Sequence, residues 1–146
     1  MRVLVIEDEG LFAHALCESL TAAGHEPVGP ARSLDEALHL AKSERPHLAL
    51  VDIGLEMPGD GVLLARMLHL AFGLRSVFVS GDREEAHRNS DLALGFLDKP
   101  VDADVVVRSL EAVSAVLRGE PCELPPQLTP FWPSLAPAQT DAARTA

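Results

Sequence analysis

Leu48-Ala-Leu-Val-Asp-Ile-Gly-Leu55 is the stretch whose reading decides the fold. Leu48 to Val51 is an unbroken apolar run that stops at the carboxylate of Asp52, and Gly54, Met57-Pro58-Gly59 and Gly61 follow. A short, uniformly apolar run suits a strand buried on both faces, as in a parallel sheet covered by helices. Ligands of such sheets bind just outside the carboxyl ends of the strands, so Asp52 is expected at the lip of a crevice. On its own Asp52 has a plainer reading, because strand-end aspartates commonly cap a loop or the next helix. The other strand ends decide between the two.

Arg2-Val-Leu-Val-Ile6 reads as a first strand that runs into Glu7-Asp8-Glu9. Residues 10–23 read as a helix with Phe12, Leu16 and Leu20 on one face and Gly24 as its stop. Residues 25–31 carry Pro27 and Pro30 and are expected at a sheet edge, because proline cannot donate to a central ladder. Ser33 and Glu36 have capping-box spacing and open a helix to Glu44, with Leu34, Ala37, Leu38 and Ala41 inward. Beyond the central strand, residues 61–72 read as a helix with Leu64, Met67, Leu68 and Ala71 inward. Ser76-Val-Phe-Val79 is a fourth strand that ends at Ser80, and Gly95-Phe-Leu-Asp-Lys-Pro100 a fifth, stopped by proline. Asp102 can cap a last helix to Leu117, with Val106, Leu110, Val113 and Leu117 inward.

This alternation predicts an α/β fold: a doubly wound, five-stranded parallel sheet in the flavodoxin-like order 2-1-3-4-5, with helices on both faces. That order brings the ends of strands one, three, four and five around one crevice. Those ends carry Glu7-Asp8, Asp52, Ser80 and Lys99.

The chain of 146 residues fits one domain, residues 1–118, followed by a proline-rich tail, residues 119–146, expected to be flexible. Hydrophobic residues make up 47%, enough for a core. The net charge of -10 argues against nucleic acid or an anionic membrane as partner, since both reward a basic face. No apolar run nears the roughly 20 residues of a membrane span, and the chain starts directly with a strand pattern rather than a leader. Cys17 and Cys122 form neither a zinc pattern nor a disulfide framework, and the six histidines show no ligand spacing. A cytoplasmic protein is expected.

Three carboxylates that converge repel one another, and a hard divalent cation relieves that repulsion. Magnesium prefers oxygen ligands and needs only one or two carboxylates, keeping waters and phosphate oxygens. Asp52 is placed to act as a nucleophile on a phosphoryl group. Lys99 supplies a fixed positive charge and Ser80 a hydroxyl donor, and phosphoryl transfer needs such charge neutralisation more than acid–base chemistry. Each residue has a dull alternative, as a helix-start acid, a turn or a cap. Four dull readings at four adjacent strand ends are less economical than one shared site.

On these motifs the chain resembles a receiver domain of bacterial two-component response regulators. The resemblance covers Met1 to Leu117 and rests on Val3-Leu-Val-Ile-Glu-Asp-Glu9, Ala49-Leu-Val-Asp-Ile53, Val77-Phe-Val-Ser-Gly81 and Phe96-Leu-Asp-Lys-Pro100, in that order. It implies that Asp52 is phosphorylated, that Asp8 and Asp52 bind Mg2+ directly, and that Glu7 acts partly through water. It also implies that the Gly54 carbonyl completes the protein ligands, and that Ser80 and Lys99 contact the phosphoryl group. The family's switch aromatic maps to Phe96. Two departures stand out. Gly61 lies one residue further from Asp52 than in the commonest family loop, with Met57-Pro58 displaced accordingly, and the segment from Ser80 to Lys99 is short. The Phe-Val-Ser-Gly-Asp run is similar to the receiver subgroup called FATGUY, whose members are commonly stand-alone and paired with HWE or HisKA2 type histidine kinases.

The function expected is that of a single-domain response regulator. It takes a phosphoryl group from a histidine kinase or phosphotransfer protein and signals to a downstream protein partner or along a phosphorelay, since no output domain follows Leu117. It is expected to be no enzyme beyond its own phosphorylation and dephosphorylation. A phosphatase with an aspartyl nucleophile is the alternative, but such enzymes want a second carboxylate two residues on, where Gly54 stands. A receiver-like module that never carries phosphate is the other. Residues 81–91 hold one apolar residue, Ala86, and are expected to stay frayed until Asp52 is phosphorylated. In the tail, Leu128, Phe131 and Trp132 form an apolar knot, which is either untethered or docked on the domain or a partner.

Overall fold

In the computed structural model, which describes residues 1–55 and 59–131, strands and helices alternate along the chain. Strands β1 (Arg2–Ile6), β2 (Glu26–Ala31), β3 (Leu48–Asp52), β4 (Arg75–Ser80) and β5 (Gly95–Asp98) are separated by helices α1 (Gly10–Ala22), α2 (Leu34–Glu44), α3 (Asp60–Phe72) and α4 (Arg83–Arg88). Helix α5 (Ala103–Leu117) and a short strand β6 (Leu128–Pro130) follow. The sheet order is 2-1-3-4-5-6. The first four pairings are parallel and β5 with β6 is antiparallel.

The flavodoxin-like order is therefore the one expected, with one addition. The sheet has six strands rather than five, because Leu128-Thr-Pro130 pairs with the outer edge of β5. Residues 128–131 of the tail are seated on the sheet: Leu128 and Phe131 are both buried, and the Phe131 N–H donates to the Leu94 carbonyl at 3.0 Å. Trp132 and the residues after it lie outside the described residues, so the apolar knot is seen only at Leu128 and Phe131.

Every residue of β3 is buried. Alternate side chains of the central strands enter two cores, as the period of two requires. Leu4, Ile6, Ala49, Val51 and Phe78 face α2 and α3, while Val3, Val5, Leu48, Leu50 and Val77 face α1 and α5. The proline-bearing β2 does lie at the edge. Three local expectations shift. Ser33 Oγ accepts from the Glu36 N–H at 3.3 Å as foreseen, but the Glu36 carboxylate takes the N–H of Arg32, one residue earlier than a capping box places it. On α3 the buried stripe is Gly61, Leu64, Ala65 and Leu68, with Ala71 exposed. On α5 Val106, Leu110 and Val113 are inward, but Leu117 is 43% exposed in the last turn.

Residues 83–88, expected to be frayed, form α4. The Asp82 side chain caps it by accepting the Glu85 N–H at 3.0 Å, and Arg83 grips Asp98 with two N–H groups at 3.1 and 2.6 Å. Ala86 is wholly buried, and the His87 ring packs edge-on against Phe96 and Phe131. An aromatic imidazole thus supplies the apolar contact that a search for aliphatic residues overlooks.

Gly61 fixes how α3 meets β3. A Cβ built there would collide with Ile53 Cα and sit 2.7 Å from the Asp52 carbonyl oxygen, both of them backbone. Helix propensity alone favours Gly61→Ala by about 1 kcal/mol. The collision reverses the sign, and the variant is expected to lose about 1–3 kcal/mol in urea denaturation. An unchanged or raised midpoint refutes the close packing of α3 on the Asp52 strand.

Candidate functional site

The crossovers bring the ends of β1, β3, β4 and β5 side by side, and the side chains foreseen for the site meet there. Asp52 ends β3 and is 5% exposed. Its Oδ1 accepts the Gly54 N–H at 2.8 Å, and its Oδ2 accepts from Lys99 Nζ at 3.2 Å. The same ammonium lies 2.9 Å from Glu7 Oε1 and 3.6 Å from Glu9 Oε2. Glu7, 2% exposed just after β1, also takes the Glu9 N–H on its other oxygen at 3.0 Å. Asp8 beside it is half-buried. One carboxylate oxygen each from Glu7, Asp8 and Asp52 lie within 4.8 Å of one another.

Ser80, at the end of β4, is 1% exposed, and its Oγ accepts the Asp82 N–H at 3.0 Å. It belongs to the same crevice: a Cβ placed on Gly54 would lie 3.3 Å from Asp52 Oδ1 and 3.6 Å from Ser80 Oγ. Glycine at position 54 therefore leaves open the space between the Asp52 carboxylate and the Ser80 hydroxyl. All the residues expected at the site are thus together: Glu7, Asp8, Asp52, Gly54, Ser80 and Lys99. Two residues of the site were missed. Glu9 adds a further carboxylate to Lys99, and the Phe12 ring lies under the ammonium, 5.0 Å from Nζ to centroid. By its spacing with Leu16 and Leu20, Phe12 reads as plain core. Its position in the first turn of α1, directly after the acid run, was the available signal.

The electrostatics follow from burial and crowding. Burial pushes the Glu7 carboxyl up to about 7; the hydrogen bonds from Lys99 and the Glu9 N–H oppose that, and the charge of Asp52 adds to it. For Lys99, burial works against the ammonium, but the hydrogen bond to Glu7 and the charges of Asp52 and Glu7 outweigh it and raise its pKa above the ordinary lysine value.

The donor set suits magnesium. It is all oxygen, and Mg–O distances of about 2.0–2.1 Å put opposed ligands about 4.2 Å apart, close to the spread of these carboxylates. The cluster of Glu7, Asp8 and Asp52 is thus a candidate site for such an ion.

Comparison with known proteins agrees with the geometry. Residues 3–111 match the response regulator receiver domain, and the chain belongs to that family of two-component signalling modules. Among curated relatives, the transcriptional regulatory protein PdtaR of Mycobacterium tuberculosis is 32% identical over 115 residues, which are 75% of this chain and 55% of that protein. The phyllosphere-induced regulator PhyR of Methylorubrum extorquens is 35% identical over 79 residues, 53% of this chain and 30% of that protein. The chain thus spans about half or less of the length of these relatives. Among solved structures, the receiver domain of a modulated diguanylate cyclase from Desulfovibrio desulfuricans is 36% identical with a TM-score of 0.67, covering 75% of this chain and 90% of that one. Receiver domains are signalling modules that interact with kinases and downstream partners. Among the described residues, no helix is long and apolar enough to cross a membrane.

A pH dependence follows from Glu7. Its carboxyl pKa is about 7 in the folded protein against 4.5 for the ordinary group, so the folded state holds that proton more tightly. The stability it contributes is present in full below the ordinary value and is lost as pH rises through the folded one. In metal-free buffer the parent is expected to melt at a lower temperature at about pH 8 than at about pH 5.5, with Glu7→Gln showing a flatter dependence. Identical pH profiles for the two proteins refute the assignment.

Proposed function

We propose that this response regulator receiver accepts a phosphoryl group on Asp52 from a histidine kinase or phosphotransfer protein and signals through protein contact or a phosphorelay. The observation that carries this reading is the Asp52 carboxylate, buried at the end of β3 with Lys99 at 3.2 Å and the oxygens of Glu7 and Asp8 within 4.8 Å. A nucleophile set among acids, beside one fixed cation, suits transfer of an anionic group better than acid–base chemistry on a neutral one.

In the forward step an Asp52 oxygen attacks phosphorus, a P–O bond forms, and the P–N bond to the donor histidine breaks. In the later hydrolysis water attacks the same phosphorus, the P–O bond to Asp52 breaks, inorganic phosphate leaves, and the Asp52 carboxylate is restored. Bound Mg2+, held by Asp8, Asp52 and the Gly54 carbonyl with Glu7 acting through water, would neutralise phosphoryl charge. Lys99 holds its ammonium beside Asp52 and offers a donor to a phosphoryl oxygen. The Ser80 hydroxyl can donate to another while its oxygen still accepts from Asp82. Phe12 below the ammonium and the salt link to Glu9 keep Lys99 in place. The cytoplasm is where a kinase of this type would meet its regulator, and the FATGUY-like run at Phe78–Asp82 favours an HWE or HisKA2 type donor.

Two experiments test the reading. Incubation with acetyl phosphate and magnesium is expected to add one phosphoryl mass to the parent and none to Asp52→Asn, read by intact mass spectrometry. Label retained on the variant would falsify Asp52 as acceptor. Separately, magnesium is expected to stabilise the parent by mass action, about 2.7 kcal/mol at a hundredfold excess over the dissociation constant. Asp8→Ala should lose most of that gain, and an undiminished magnesium response in the variant removes Asp8 from the ligand set.

A further inference from the structure

The strand that leads into Lys99 also carries, on its outer edge, a seat for another strand. β6 pairs there through Gly95, Phe96 and Leu97 opposite Pro130, Thr129 and Leu128. The seat is shaped for close approach: a Cβ on Gly95 would lie 2.9 Å from the Thr129 carbonyl and 3.0 Å from Leu128 Cδ1. The two apolar side chains of the segment straddle the sheet edge. Leu128 enters the core beneath α5, and Phe131 enters the opposite one. There the Phe131 ring stacks on Phe96 with centroids 6.5 Å apart and planes 4° from parallel, and Phe78 and His87 meet it edge-on at 6.4 and 5.7 Å.

The hold on this segment rests on two side chains, Leu128 and Phe131, each 4% exposed, and its backbone pairing is short. The strand is three residues long, Thr129 and Pro130 are exposed, and Pro130 has no N–H to donate. Residues 119–127, which tether it to α5, are exposed or half-exposed and carry Pro121, Pro125 and Pro126. A short tether gives its occupant an effective concentration in the mM range, roughly. A competing strand displaces such an occupant only by binding more tightly than it does, as one that pairs along the whole of β5 would.

We propose that the outer edge of β5 is a strand-docking site, and that residues 128–131 occupy it as a self-ligand. The incoming partner is a protein segment in extended conformation with an apolar residue and, three positions on, an aromatic ring. Backbone pairing to β5 gives such a segment its affinity, and the Phe78–His87–Phe96 pocket its selectivity, as in other strand-addition complexes. This site goes beyond the reading of Asp52 and does not depend on it.

The test uses the full chain without magnesium or phosphoryl donor, so its outcome is separate from the chemistry of Asp52. A fluorescent peptide Pro-Gln-Leu-Thr-Pro-Phe, copied from residues 126–131, is titrated by anisotropy against the parent and against Leu128→Ala/Phe131→Ala. The doubly substituted chain, its self-ligand weakened, is expected to bind at least tenfold more tightly than the parent. Adding Gly95→Ala to it should abolish binding, because the new Cβ takes the space of the incoming carbonyl. A peptide ending in alanine should not bind. The proposal is overturned if the doubly substituted chain binds no tighter than the parent, or if Gly95→Ala or loss of the peptide phenylalanine changes nothing. Should the double substitution unfold the protein, Phe131→Ala alone is read by the same criteria.

Discussion

One ammonium among carboxylates sets the terms for this protein. Lys99 Nζ bridges Glu7 at 2.9 Å and Asp52 at 3.2 Å, and so ties the end of β5 to the ends of β1 and β3. Glu7 and Asp52 are almost wholly buried, where unpaired charges are costly. Without Lys99 the two acids would have to protonate or part. With it they stay close, yet with more negative charge than one cation balances. That residual negative charge is what a divalent ion would neutralise; the lift of the Glu7 carboxyl comes first from burial, with the charge of Asp52 adding to it.

The second constraint is backbone proximity. α3 begins against the carbonyl of Asp52, which only a glycine at position 61 permits. Gly54 keeps the space between Asp52 and Ser80 open, while its N–H fixes one oxygen of the carboxylate. Helix α4 has only six residues and is held by contacts at its ends: the Asp82 cap, the Arg83–Asp98 pair and the packing of His87. Its tie to the crevice runs through the Asp82 N–H on Ser80 Oγ. A change in what Ser80 contacts therefore reaches α4 through two hydrogen bonds.

β5 serves both ends of the molecule's business. Lys99 follows its last residue, and its outer edge takes up residues 128–131. Those residues lie beyond the family match, which ends at residue 111. The crevice residues lie within that match, and the cover on the β5 edge comes from the C-terminal segment outside it.

The sequence by itself determined the five parallel strands and their order. Uniformly apolar runs ending in Glu7-Asp8, Asp52, Ser80 and Lys99 are legible because buried parallel strands admit few polar residues before their ends, and the edge prolines of β2 leave little choice of arrangement. It also determined that Glu7, Asp8, Asp52, Ser80 and Lys99 come together, since the order alone converges those four ends. Only the tertiary structure decided which oxygen faces which donor, that Phe12 and Glu9 attend Lys99, and that residues 83–88 hold a helix. It alone placed Leu128 and Phe131 on β5. These depend on partners distant in sequence: the pairing of Phe131 with Phe96 and His87, or of Arg83 with Asp98, leaves no periodic trace in the chain. A three-residue strand carrying a proline has too little local preference to be read without the edge that receives it.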